Sequence, residues 1–196
     1  EGGGGADCGA GKHAAIGDWD TSKVTSMEWL FSDCTRGDAW CGGVKIHRAS
    51  FNQPIGKWDT SQVTSMKAMF HGGNGDAALA FNQPIGEWDT SKVTDMNSMF
   101  ARTNAFNQPI GDWDTSEVVT FSHMFNVANA FNQPIGDWDT SKVTNMRAMF
   151  HETNSFNQPI GDWDTAKVTT MERMFKSTKA FDQDISGWNL SSRTRN

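Results

Sequence analysis

The chain has 196 residues, 37% of them hydrophobic and 20% charged, enough apolar material for one domain with its own core. A formal charge of -6 and a pI near 5.3 argue against nucleic acid as a partner, because a phosphate-backbone binder needs a basic stripe that displaces counterions. No stretch approaches the roughly 20 apolar residues of a membrane-spanning helix, so the chain is expected not to cross a bilayer.

Residues 1–15, opening on Glu1 and four glycines, read as an N-terminal tail or cap, and the missing initial methionine is what a mature form or a fragment would show. The first patterned segment is Ile16-Gly17-Asp18-Trp19-Asp20-Thr21-Ser22-Lys23-Val24-Thr25-Ser26-Met27, and it recurs 39 residues later from Ile55. The lead Phe51-Asn52-Gln53-Pro54-Ile55-Gly56 returns at Phe81, Phe106, Phe131 and Phe156, with a constant spacing of 25 from Phe81 onward. A final variant begins at Phe181, with Asp182 and Asp184 replacing the asparagine and proline. A fixed period in this range signals stacked units, none of which buries its apolar face without neighbours. Residues 16–190 are therefore expected to form a solenoid of six to seven coils, with irregular loops at 32–50 and 71–80 and a polar tail at 191–196. The bias of composition, nine Trp and thirteen Phe but no Tyr, follows from copying one short pattern.

Within the unit 131–155, the lead Phe131 to Gly136 reads as a strand of two to four residues, because Pro134 lacks a donor and disfavours a helical Gln133. Val143, Met146, Met149 and Phe150 fall at i, i+3, i+6 and i+7, the stripe of a two-turn helix, with oxygens of Asp139-Thr140-Ser141 available to cap it. Stacking such units predicts an α/β solenoid: short parallel strands along one face and short helices along the other.

Three side-chain columns arise from the period. The asparagines Asn52, Asn82, Asn107, Asn132 and Asn157 are expected to tie down backbone groups at neighbouring turns, against the alternative of a ligand-facing ladder. The seven tryptophans from Trp19 to Trp188 are expected in the core, since a row of exposed indoles invites aggregation; exposed, they would form a sugar-stacking platform. Thr21, Thr60, Thr90, Thr115, Thr140 and Thr165 are read as helix caps, or alternatively as spaced hydroxyls facing ice or mineral.

The pattern Phe-Asn-Gln-x-Ile-x-x-Trp-Asp-x-Ser-x-Val-Thr-x-Met-x-x-Met-Phe, whole at 81–100 and 131–150, resembles the BspA-like group of leucine-rich-repeat-like surface proteins. That repeat is also known as a domain of unknown function in mycoplasma lipoproteins, marine bacteria and microalgae. The resemblance spans about residues 16 to 190. It implies a right-handed leucine-rich-repeat-like stack, secretion or surface display, adhesion or other protein binding, and no catalytic residues. The unit at 106–130 departs from it by placing Val119-Thr120-Phe121 where Thr-x-Met stands elsewhere, which keeps the inward position apolar.

The chemistry-bearing residues outside the pattern are few. Cys8, Cys34 and Cys41 all lie in the first fifth of the chain. Cys34 with Cys41 is the expected disulfide in an oxidising compartment, and Cys8 with either one is the competing pair. Without a Cys-x-x-Cys spacing and with only His13 and His47 nearby, no zinc site is expected, nor is calcium at the Asp-x-Asp pairs. His71 and His151 occupy equivalent positions in units too far apart to cooperate. The expected function is a non-catalytic protein-interaction scaffold without cofactors, either a surface adhesin or a peripheral subunit of a larger, membrane-associated assembly. A carbohydrate-binding module and an ice or mineral binder are the alternatives. Partner specificity is expected in the two irregular loops, at Trp40, Lys45 and His47 and at Gly73, Asn74 and Asp76, because an invariant array offers the same contact at every step. Asn189-Leu190-Ser191 is a glycosylation sequon. The expected location is extracellular, at the cell surface or in an oxidising lumen.

Overall fold

The structure is a computed structural model that describes residues 15–32, 50–73 and 79–188. Successive repeats lie on one another in parallel register. One isolated parallel bridge per unit runs through Ser26, Ser65, Asp95, Thr120, Asn145 and Thr170 in turn. Around it, backbone hydrogen bonds join each unit to the next. The amides of Met146, Ala148, Phe150 and Glu152 donate to the carbonyls of Thr170, Glu172, Met174 and Lys176 at 2.9–3.0 Å, while Thr144 donates back to Val119 at 2.9 Å. The longer spacings between the first units do not disturb this register: Ser65 pairs with both Ser26 and Asp95 across the two irregular segments.

This arrangement corrects the expected secondary structure. Residues 143–150 form no helix, and among the described residues the one helix is a single 3-10 turn at Ile16–Asp18. The amides a helix would use internally are instead spent on the neighbouring unit. The i, i+3, i+7 spacing arises from two consecutive tight turns, closed by Met149 N–H to Met146 at 3.3 Å and Thr153 N–H to Phe150 at 3.0 Å. Each turn contains a left-handed residue, Ala148 at φ 50° and Glu152 at φ 58°, which a right-handed helix does not accommodate. A two-turn helix is marginal without packing, whereas the stacked amides are all satisfied. The parallel pairing likewise sits at Asn145 and its equivalents, not along the Phe131 to Gly136 lead, where no strand forms.

Inward side chains form continuous columns. Phe150 stacks on Phe156 at 3.9 Å and on its equivalents Phe125 and Phe175 at 5.7 and 5.8 Å, and the same contacts recur from Phe31 to Phe181. Offset, near-parallel rings of this kind add to the roughly 1.5–3 kcal/mol that full burial of each phenylalanine contributes. Ile135, Val143, Met146 and Met149 fill the space between the aromatic columns and are entirely buried. The repeated glycine has its own packing reason. A β-carbon on Gly136 would lie 2.6 Å from the carbonyl oxygen of Pro159, and one on Gly111 equally close to that of Pro134. Only glycine lets the next unit's backbone come this near.

Candidate functional site

The repeated polar columns are consumed inside the stack. Asn107 Oδ1 accepts the backbone N–H of Asn132 at 2.9 Å and the side-chain amide of Gln133 at 3.0 Å, and the same pair of bonds links every adjacent asparagine from Asn52 to Asn157. The column ties down the neighbouring turn, as its residue type suggested. The threonines do something else. Thr21, Thr60, Thr90, Thr115 and Thr140 are buried, and each donates its hydroxyl to the carbonyl of an aspartate one unit on, at 2.9–3.0 Å. They cap no helix, and their hydroxyls face neither solvent nor a crystal surface. A separate threonine column, with Thr64, Thr94 and Thr169, is exposed, and its hydroxyls are spent on carbonyls of the preceding unit.

Each tryptophan from Trp58 to Trp188 is buried and donates its indole N–H to an isoleucine carbonyl in the previous unit at 2.8–3.3 Å. These rings have no face free for a sugar. Trp19, in the first unit, is 48% exposed and stacks on Trp58 at 6.4 Å. The acids beside the indoles make local turns: Asp139 Oδ1 accepts the Ser141 N–H at 2.8 Å. The Ser141 hydroxyl, and after it that amide, hold the Asp139 carboxyl below its ordinary value, and serine does the same for Asp20, Asp59 and Asp89.

Of the residues singled out by sequence, Cys8, Cys34, Cys41, His13, Trp40, Lys45, His47, Asn74, Asp76 and Asn189 lie outside the described residues. Gly73 is described and is buried.

The structure instead brings together a group that the repeat pattern hid. Arg102, His123, Arg147, His151 and Arg173, with Asn126 and Glu152, line a surface groove of about 230 Å³ that crosses four successive units. These residues come from the two tight turns of each unit, and five of the lining residues, Arg102, His123, Val127, Glu152 and Arg173, have φ near 60°. In that conformation the side chain projects from a turn whose amides are already bonded to the next unit, as His123 N–H is to Arg147 and Arg102 N–H to Asn126. The histidines are not isolated from one another. His123 and His151 line the same groove from successive units. Burial first, then Arg102, pushes the His71 pKa below its ordinary value; burial first, then Arg147 and His151, does so for His123. His151 Nδ1 pairs with the Asn126 side-chain amide at 2.9 Å, leaving Nε2 3.7 Å from Glu152. Glu172 bridges Arg147 and Arg173 at 3.3 Å each. In the sequence, His123, Arg147 and Arg173 occupy the unspecified positions of the Met-x-x-Met segment, and a helical reading of that segment separates them from Arg102. Their convergence depends on the double turn.

Among the described residues no group of three or more His, Cys, Asp or Glu side chains is arranged to hold a metal, and no helix is long and apolar enough to cross a membrane. Searches of curated proteins and of solved structures return no match. Two overlapping stretches, residues 9–128 and 109–196, match a family described as a Mycoplasma protein of unknown function. Because those matches take in nearly the whole repeat array, the chain belongs to the DUF285 family.

Proposed function

We propose that the chain is a non-catalytic protein-interaction scaffold of the BspA-like surface type, wound as a right-handed leucine-rich-repeat-like solenoid. It serves as an adhesin or as a peripheral subunit of a larger assembly, outside the cell or in an oxidising lumen. One observation carries this reading: within a single chain, the inward positions repeat while outward ones at fixed register vary. Val63, Val93, Val118, Val143 and Val168 are all buried at one position. One residue earlier, the exposed side chains are Gln62, Lys92, Glu117, Lys142 and Lys167. Beside the invariant tryptophan the exposed residue changes from Lys57 to Glu87 to Asp112. A stack that fixes its core and alters its surface step by step is the arrangement that solenoids use for extended recognition.

The test is affinity capture from native extract and membranes with the intact chain as bait, beside a variant in which residues 33–49 are replaced by a glycine-serine segment. A protein retained by the first and lost from the second supports the scaffold and assigns the contact to the first irregular loop. Equal retention by both moves the contact to the repeat face. Retention of polysaccharide alone, or of nothing, overturns the proposal.

A further inference from the structure

We infer that the groove lined by Arg102, His123, Arg147, His151 and Arg173 is a binding site for a tetrahedral oxyanion, a sulfate or phosphate group free or carried as an ester on a small polar molecule. The inference goes beyond the scaffold reading and does not depend on it, since a chain without any protein partner would still hold the anion.

The first argument is charge. The chain as a whole carries -6, yet the groove collects three arginines against one lining carboxylate, Glu152. Surfaces of an acidic protein that gather cations in one concavity focus the field there and raise the local concentration of anions. Glu172, outside the lining, offsets part of this by contacting Arg147 and Arg173, but each guanidinium has five donors in a planar fork and retains several for a ligand. Among the described residues the Arg102 side chain has no hydrogen bond or ion pair, so none of them takes up its fork at one end of the groove.

The second argument is placement. The arginines are held on turns whose backbone is fixed by bonds between units, so the spacing of the forks is set by the stack before any ligand arrives. The groove crosses four units, and at the roughly 4.8 Å separation of parallel backbones this is about 14 Å from first to last. Its volume of about 230 Å³ is enough for a monosaccharide-sized ester. The imidazole of His151 adds a donor, because the Asn126 side-chain N–H faces its Nδ1 and leaves the proton on Nε2. His123 Nδ1 is taken up by the Ser122 hydroxyl at 2.8 Å, which leaves Nε2 as its second polar atom, and Asn126 occupies Nδ1 of His151. The preference for a tetrahedral anion over a carboxylate follows from number: guanidinium and imidazole donors approach from successive units, and sulfate or phosphate offers three or four acceptor oxygens to a carboxylate's two.

The experiment is a titration of the whole chain, labelled for histidine ring resonances, with sodium sulfate, sodium phosphate, glucose 6-sulfate, glucose 6-phosphate, glucose and sodium acetate at constant ionic strength. The expected result is a saturable shift of the His123 and His151 signals with the sulfate- and phosphate-bearing compounds and none with glucose. Arg102→Gln and Arg147→Gln should each weaken it by at least about tenfold, the scale of a lost charge-assisted contact. Lys92→Gln, which removes a cation bonded to Gln62 away from the groove, should leave it unchanged. Tighter binding of the sugar esters than of the inorganic ions would identify an ester as the source, and the reverse order the free ion; both support the site. A shift that does not saturate, that survives in both arginine variants, that falls equally with Lys92→Gln, or that acetate matches overturns it. Near-ultraviolet dichroism of each variant separates loss of the site from loss of the fold.

Discussion

The indole N–H of Trp138 donates to the carbonyl of Ile110, one unit earlier in the chain, at 3.1 Å, with both residues buried. This bond couples packing to register, because the ring reaches that carbonyl only when two units are aligned. Trp138→Phe keeps an aromatic ring but leaves the carbonyl without its donor. The expected loss is about 2–3 kcal/mol, measured by urea unfolding. A loss under about 1 kcal/mol would show that the carbonyl finds water instead.

Gly111 carries a sharper steric constraint. With 2.6 Å available between an added β-carbon and the Pro134 carbonyl oxygen, Gly111→Ala pushes backbone against backbone, and no flexible side chain can give way. We expect a destabilisation of at least about 1–3 kcal/mol, the usual range for overpacking. Gly187→Ala in the last unit is the control: its nearest neighbour would be 3.9 Å away, and the same unfolding measurement should show little change.

Left-handed turns predict a stabilising change. Val127 is β-branched and has φ 60°, a conformation that costs about 1–2 kcal/mol for an ordinary residue and more for a branched one. Asparagine tolerates that region, so Val127→Asn is expected to raise stability by about 1 kcal/mol in a thermal or urea unfolding experiment. A decrease would mean that the half-buried valyl methyl groups contribute more to the groove wall than the turn strain costs.

The aspartate turns set the acid limb of stability. The carboxyls of Asp20, Asp59, Asp89, Asp139 and Asp184 are held below their ordinary values by hydrogen bonds from serine two residues on. A depressed folded-state pKa contributes stability that is present above the unfolded value near 3.9 and is lost as pH falls through the folded value. These groups face solvent, so each contribution is small. Ser141→Ala should move the Asp139 carboxyl back toward its ordinary value, read from its carbon-13 titration, while leaving Asp89 unmoved.

The half-buried His71 acts with the same sign at higher pH. Its pKa is pushed down by burial and by Arg102, so the unfolded chain binds its proton more readily than the folded one. Stability therefore falls as pH drops from above the unfolded value near 6.5 toward the lower folded value. Comparing unfolding at pH 8 and pH 5.5, the fall should be smaller in His71→Gln than in the unaltered chain.

Much of the architecture is legible in the letters, and the errors have a common cause. The period, the burial of Phe131, Ile135, Trp138 and Val143, and the linking role of the asparagines follow from composition and spacing, because identical residues 25 apart must meet when units stack. The helix assigned to Val143–Phe150 does not form, because inward positions at i, i+3 and i+7 arise from two turns as readily as from a helix. The threonine caps fell with that helix. His123, displaced by three positions within its unit relative to His71 and His151, joins His151 in the groove only through the double turn.

The sequence by itself determined that one unit is copied, which face of it is apolar, and that the copies need one another to fold. The choice between helix and double turn belongs to tertiary structure. An isolated unit has no partner for the amides of Met146, Ala148, Phe150 and Glu152, whereas the neighbouring unit supplies a carbonyl for each. Those inter-unit bonds offset the cost of left-handed backbone at two positions in each unit from residue 81 onward. The same turns project Arg102, His123, Arg147 and Arg173 into one groove, a proximity that no spacing along the chain encodes.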